Sequence, residues 1–255
     1  SGKDETRKIL DKEQIYHNKK KLKKIFEKFI SFDQSKKNSA IFVDNYSWLS
    51  NLKYIEFLRE IGSKFSVNKM ISLESSKQRL NREQNLSFLE FNYSILQAFD
   101  FFELFKEFNC TIQFGGSDQW GNIVSGIDLI KKLKQKETFG MTTPLVTTSD
   151  GKKMGKTNDG AVWLSENKFS IKTFWQYWRN TSDDDVIKFL YYFTEIESNA
   201  IKKFNNYQGA DLNNLKVLLA NEVTTLCHGA KKSKEAELEA QKIFVKKNYD
   251  NEIIK

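Results

Sequence analysis

Three stretches of the 255-residue chain carry side chains whose types and spacing suit chemistry. Tyr93, Gln97 and Asp100 recur at i, i+4 and i+7, so on a helix they share one face. A phenol, an amide and a carboxylate in one column can hold a small zwitterion that also carries a hydroxyl. The acceptors suit an ammonium at one end, and the carboxylate suits an O–H at the other. Such a polar stripe is either the wet side of a surface helix or a lined pocket. Phe88, Phe91, Ile95, Leu96, Phe99 and Phe102 fill most other positions and leave little room for a wet side.

The second stretch is Phe114-Gly115-Gly116-Ser117-Asp118-Gln119-Trp120-Gly121-Asn122. Glycines after a strand let backbone approach a ligand, and the following helix N-terminus favours anionic groups. An acidic residue in that turn can take both hydroxyls of a ribose. A glycine pair alone is ordinary, because tight turns call for glycine anyway. Asp118-Gln119-Trp120 in the same turn makes this one less so. The third stretch is Asp150-Gly151-Lys152-Lys153-Met154-Gly155-Lys156-Thr157. Lys153 and Lys156, three apart in a glycine-rich loop, can close on a polyphosphate and place positive charge where a leaving group gains negative charge. The plainer reading is a basic surface loop. It is not a P-loop, whose glycine-to-Gly-Lys-Ser/Thr spacing is absent.

Hydrophobic periodicity supplies the elements that must hold these residues. A helix is expected over 5–33, with a stripe of Ile15, Leu22, Ile25, Phe26 and Phe29 and lysines 19–24 on its open face. Ile41–Val43 reads as a short strand, and 54–61 and 69–80 as helices. Residues 86–107 form an apolar helix, Cys110–Phe114 a buried strand, and Trp120 to Gln135 a helix with Ile123, Ile127 and Ile130 inward. A further strand is expected at Pro144–Thr147, then a flexible loop to 160. From about 166 the pattern is all helical, broken near 180–183, 198 and 209–211. The order is α/β and then all-α.

Composition narrows the classes. Two cysteines, Cys110 and Cys227, in apolar contexts read as reduced buried thiols of an intracellular protein, with no disulfide framework. His17 and His228 lie far apart, so no metal site is expected and a Ser–His–Asp device is weak. No apolar run approaches the ~18–20 residues of a membrane span, and no signal peptide opens the chain. The first residue is Ser1, which suggests a truncated chain. Net charge is +8, yet of 41 basic residues only Arg7, Arg59, Arg79, Arg82 and Arg179 are arginine. That is poor in the planar forks an RNA reader favours, so charge alone does not decide for RNA.

In this order and at these distances, the three stretches resemble the second half of the bacterial-type tyrosyl-tRNA synthetases, which are class I aminoacyl-tRNA synthetases. Gly115–Asn122 matches that family's tyrosine and ribose motif. Lys153-Met154-Gly155-Lys156-Thr157 resembles its "KMSKS" loop, with Gly and Thr at the two serine positions. Ser1-Gly2-Lys3 and Arg7 resemble the segment after the first class I signature, and Asn45-Tyr46-Ser47-Trp48 matches in place. The "HIGH" signature and the C-terminal RNA-binding domain of the family are not in this sequence.

The resemblance implies a Rossmann-like class I catalytic domain over 1–147, a signature loop and linker over 148–170, and an α-helical anticodon-side domain over 171–255. It implies activation of tyrosine by ATP with Mg²⁺ to tyrosyl-adenylate, then transfer to the 3′ end of tyrosine tRNA, with no prosthetic group. By resemblance, Asp100 binds the substrate hydroxyl. Tyr93 and Gln97 hold the ammonium with Gln113 nearby, and Gln119 faces the carboxyl end. Gly115, Gly116 and Asp118 hold ATP, the last two at its ribose, while Leu145 and Val146 flank adenine. Lys153, Lys156 and Thr157, with Lys3 and Arg7, grip pyrophosphate. Phe88 falls where the family places a homodimer contact, though an ordinary core role is the alternative. Trp175, Trp178 and Arg179 open the segment expected toward the tRNA. A bacterial cytoplasm, or a mitochondrion or plastid, fits these motifs, and no membrane partner is expected. The other readings are a tryptophanyl enzyme, a catalytically incomplete synthetase-derived RNA-binding or scaffold protein, and a generic basic RNA binder.

Overall fold

The structure, a computed structural model, describes residues 10–73, 77, 80–81, 86–157 and 160–253, with backbone only for 156, 157, 160 and 243–253. Lys3 and Arg7 lie outside the described residues. Val43–Val146 forms one compact unit and the remaining residues the other.

Helix α1, Lys12–Phe26, is shorter than the periodicity suggests. Asp11 caps it by accepting from the Gln14 N–H at 2.7 Å, and turns replace helix after Phe26. Its apolar stripe stays half exposed at Ile15, Leu22 and Phe26. Ile41–Val43 is not a strand, because no ladder partner lies beside it among the described residues. Phe42 instead packs its ring near Phe26 and Phe32.

Within Val43–Val146, short helices α2 (Tyr46–Leu49), α3 (Tyr54–Glu60) and α4 (Val67–Ser72) lead to the long helix α5, Phe88–Phe108. A Ser87–Glu90 capping box starts α5, and Asn109, left-handed at φ 52°, ends it. Strand β1 (Ile112–Gly116) and strand β2 (Phe139–Thr143) pair in parallel, Ile112 opposite Phe139 and Gly116 opposite Thr143. Helix α6, Trp120–Lys134, connects them as a βαβ crossover. The strand expected at Pro144–Thr147 therefore lies earlier. Pro144 has no N–H for a ladder, and the chain from 144 to 146 is irregular. Two glycines set the packing. A Cβ on Gly126 would stand 2.9 Å from Phe101 Cδ1, so α5 and α6 approach closely there, and one on Gly140 would stand 2.4 Å from Ile123 Cγ2. The core joins Ile61, Met70, Ile95, Ala98, Phe99, Phe101, Phe102, Leu129 and Ile130. Each large apolar side chain so buried contributes roughly 1.5–3 kcal/mol. Cys110 is only half buried, contrary to expectation, whereas Cys227 is buried.

In the other unit, β3 (Lys156–Thr157) and β4 (Gly160–Ala161) pair in antiparallel fashion. Helices α7 (Ile171–Arg179), α8 (Asp183–Phe193), α9 (Ser198–Lys202), α10 (Gly209–His228) and α11 (Ala230–Ile253) follow. The breaks near 180–183, 198 and 209 fall where the sequence places them. A further break at Gly229, φ +90°, splits what reads as continuous helix. Phe174, Trp175, Trp178, Phe189, Leu190 and Leu219 are buried there. Trp175 Nε1 donates to Asn221 Oδ1 at 2.7 Å, and Arg179 reaches Asn213 Oδ1 at 3.4 Å. Among the described residues, no helix is long and apolar enough to cross a membrane. The α/β order followed by helices, expected of a Rossmann-like class I synthetase domain with an all-α continuation, is the architecture observed.

Candidate functional site

Asp100 is where the polar stripe of α5 meets a second element. The Trp48 indole donates to Asp100 Oδ1 at 2.7 Å, and the Asn45 amide donates to Oδ2 at 3.1 Å. Asn45 and Trp48 fall three apart at the start of α2, so one short turn presents both donors. Burial pushes the Asp100 carboxyl above its ordinary value, and the donors from Trp48 and Asn45 oppose that rise. Each carboxylate oxygen keeps lone-pair capacity after its one bond. A half-buried carboxylate fixed in this way can accept an O–H, and an apolar ring placed there would offer it nothing.

One turn earlier on α5, Gln97 Oε1 accepts from Asn122 Nδ2 at 3.0 Å. The bond aims the amide oxygen at Asn122 and fixes the orientation of the Gln97 side chain. Tyr93, two turns from Asp100, is half exposed, and Phe88 at the start of α5 is 69% exposed. An exposed Phe88 is no ordinary core residue of this chain. Gln113 Oε1 on β1 is buried and has no hydrogen-bond partner among the described residues, leaving an acceptor unsatisfied.

The glycine turn works by what it leaves out. Gly116 has φ −74°, ordinary for any residue. A Cβ on Gly116 would stand 2.8 Å from Asp118 Oδ1 and 3.1 Å from Leu145 Cδ2, and one on Gly115 would stand 3.0 Å from Gln119 Cβ. The missing side chains thus make room for Asp118, Gln119 and Leu145 to gather over the turn, which a 3₁₀ turn, Ser117–Gln119, then joins to α6. Val146 follows Leu145 in sequence.

The Lys153 segment is more ordered than its glycines suggest. Thr147 and Lys153 face each other in an antiparallel bridge. The Thr148 N–H donates to Lys152 O at 2.8 Å and the Gly151 N–H to Thr148 O at 2.9 Å. Gly151 and Gly155 need their glycines, at φ +79° and +85°. The turn also separates the adjacent lysines. Lys152 pairs with Asp150 at 2.8 Å. Its hydrogen bond, with those of the Thr148 hydroxyl and the Lys152 N–H, lowers Asp150 to about 2. Lys153 is exposed and has no acidic partner among the described residues. Lys156 and Thr157 sit on β3 by backbone. Among the described residues, no group of three or more His, Cys, Asp or Glu could hold a metal ion.

Sequence reasoning finds Asp100 and Gln97 from helical spacing but assigns no role to Asn122, which its motif contains, or to Asp185. The signal for Asp185 is Ser182-Asp183-Asp184-Asp185, a helix-start pattern.

Comparison with known proteins gives the family. The tyrosine–tRNA ligase of Ruegeria pomeroyi is 51% identical over 240 residues, 94% of this chain and 58% of that protein. That of Rickettsia bellii is 50% identical over 253 residues, 99% of this chain and 61% of that one. The chain thus spans less than two thirds of the length of these curated relatives. A C-terminally truncated mitochondrial tyrosyl-tRNA synthetase from Aspergillus nidulans has the same fold. Its TM-score is 0.74 at 26% identity, over 95% of this chain and 72% of that chain. The model of the tRNA synthetases class I (W and Y) matches residues 1–245, and the chain belongs to that family.

Proposed function

We propose that the protein, at the full length of its gene, is a tyrosine–tRNA ligase. It joins L-tyrosine to ATP as tyrosyl-adenylate with release of pyrophosphate, then passes the tyrosyl group to the 3′ end of tyrosine tRNA. The observation that carries this reading is Asp100, half buried and fixed by Trp48 and Asn45 on the same face as Gln97. The Ruegeria and Rickettsia relatives, named as tyrosine–tRNA ligases, favour it over a scaffold role.

In this mechanism Asp100 accepts the phenolic O–H, while Tyr93 and Gln97 take the ammonium with Gln113 nearby. Gln119 orients the carboxylate that attacks the α-phosphate. Gly115, Gly116 and Asp118 hold ATP, the last two at its ribose, and Leu145 and Val146 flank adenine. Mg²⁺ enters on the phosphates as part of the substrate. Lys153, Lys156 and Thr157, with Lys3 and Arg7, neutralise pyrophosphate as its charge grows. No covalent enzyme intermediate is required, so positioning and charge stabilisation do the catalysis. In the same reading, 1–147 is the catalytic domain, 148–170 the signature loop and linker, and 171–255 the domain facing the tRNA anticodon side. Phe88 meets a second copy of the chain, and the protein works in a bacterial cytoplasm or in a mitochondrion or plastid.

The test is amino-acid-dependent exchange of pyrophosphate into ATP by the full-length protein. Exchange with tyrosine, and background with tryptophan and phenylalanine, is the expected result. Exchange with tryptophan alone would give the site to the other amino acid of the family. Exchange with none of them would overturn the ligase reading.

A further inference from the structure

Asp185, the third residue of α8, is 2% exposed, and its carboxylate takes its hydrogen bonds on one oxygen and an ion pair on the other. Oδ2 accepts the Ser182 hydroxyl at 2.8 Å, the Ser149 N–H at 2.8 Å and the Ser149 hydroxyl at 3.1 Å. Oδ1 pairs with Lys188 Nζ at 2.5 Å. Lys188 also donates to the carbonyl of Thr147 at 2.8 Å. Helix capping does not account for this cluster, since Ser182 at the N-cap of α8 makes no side-chain hydrogen bond to the helix backbone. The other contacts reach across 36 and 41 residues to Ser149 and Thr147. Those two residues flank Thr148, where the turn carrying Lys153 begins, and Thr147 is itself bridged to Lys153.

Burying a carboxylate is costly, and an apolar pair of similar size often serves packing as well or better. What the ion pair adds is direction, since it holds one leg of the turn at two points, on either side of Thr148. Burial works to raise the carboxyl of Asp185. Lys188, then the Ser149 N–H and the Ser182 and Ser149 hydroxyls, outweigh it and keep the group charged.

We propose that Asp185, with Lys188, is a positioning residue for the adenylate-forming step, fastening the base of the Lys153 turn so that the lysine's charge is delivered to the departing pyrophosphate. The inference rests on the function proposed above. Lys153 touches substrate in that reading, whereas Asp185 acts through it. The clasp holds Thr147 and Ser149 to α8, and Lys153 is joined to it through its bridge to Thr147.

The test is a double-mutant cycle in tyrosine-dependent pyrophosphate exchange with the full-length protein. Asp185→Asn is expected to lower kcat by about tenfold, as misplacement of a catalytic group does, and to leave KM for tyrosine within about twofold of wild type. In the Lys153→Ala background the same substitution is expected to cost nothing further, because no lysine remains to be placed. Should Asp185→Asn fail to fold, Lys188→Met, which removes the tie to Thr147 and the ion pair with Asp185 from a part-exposed position, carries the same expectation. Losses that multiply in the double variant would overturn the inference and leave Asp185 a structural residue. Normal kcat in Asp185→Asn, with Lys153→Ala slow, would overturn it while sparing the function. Normal kcat in Lys153→Ala would overturn the role of Lys153 and this inference together.

Discussion

A carboxylate that must recognise a neutral hydroxyl has to stay charged while losing much of its water. At Asp100, in the role proposed for it, two N–H donors from Trp48 and Asn45 are set against the burial that raises its pKa. The sign fixes a pH dependence. Protonation removes an acceptor, so kcat/KM for tyrosine is expected to fall as pH drops through a titration that burial has raised from the ordinary aspartate value. Trp48→Phe deletes one opposing donor and should move that fall to higher pH; an unmoved profile would mean the indole does not hold the carboxylate. At the third stretch, Lys152 is committed to Asp150 and Lys153 is not. Lys153→Ala is therefore expected to lower turnover far more than tyrosine binding, and Lys152→Ala to leave turnover near wild type. Equal losses in the two variants would contradict the assignment. Spacing along one helix makes Asp100 and Gln97 legible in the sequence. It says nothing of donors 52 and 55 residues away, nor of which adjacent lysine a turn will pair.

At the scale of elements, α5 and α6 follow from their apolar periodicity and the glycine turn from its composition. Strand β2 does not, because its small residues answer to a neighbour. Gly140 lies where any side chain would collide with Ile123, and that requirement is invisible until α6 crosses the strand. Pro144 draws attention to the wrong segment, since a fixed φ and apolar neighbours look strand-like while the missing N–H ends the ladder. Gly140→Ala is accordingly expected to destabilise the fold by about 1–3 kcal/mol, the usual cost of overpacking, as read from denaturant midpoints. A loss below about 0.5 kcal/mol would mean the strand shifts freely. The break at Gly229 escapes the sequence for a related reason. Helical pattern continues on both sides, and only its positive φ records the bend.

For the whole molecule, the +8 charge is mostly lysine and carries little of the functional argument. The more telling titratable group is His228, neither of whose ring nitrogens has a hydrogen-bond partner among the described residues. Burial depresses its pKa, Lys28 and Lys232 add to the effect, and Glu166 opposes it. The unfolded chain then takes the proton first, so stability is expected to be lost as pH falls below the ordinary imidazole value of about 6.5. His228→Gln should flatten the dependence of Tm on pH in that range, and an unchanged slope would place the titration elsewhere. Phe88→Asp tests assembly by sedimentation: monomer is expected, and an unchanged dimer would remove this ring from the interface. The central claim, that Asp100 reads the substrate hydroxyl, is tested by one ratio, kcat/KM for tyrosine over phenylalanine in pyrophosphate exchange. Sites built to bond a hydroxyl reject the analogue lacking it by about 10⁴–10⁵-fold, a general figure to which tyrosyl enzymes themselves contribute and not one derived from this geometry. In full-length Asp100→Ala the ratio is predicted to collapse toward unity. A ratio that stays at the wild-type value would contradict the account.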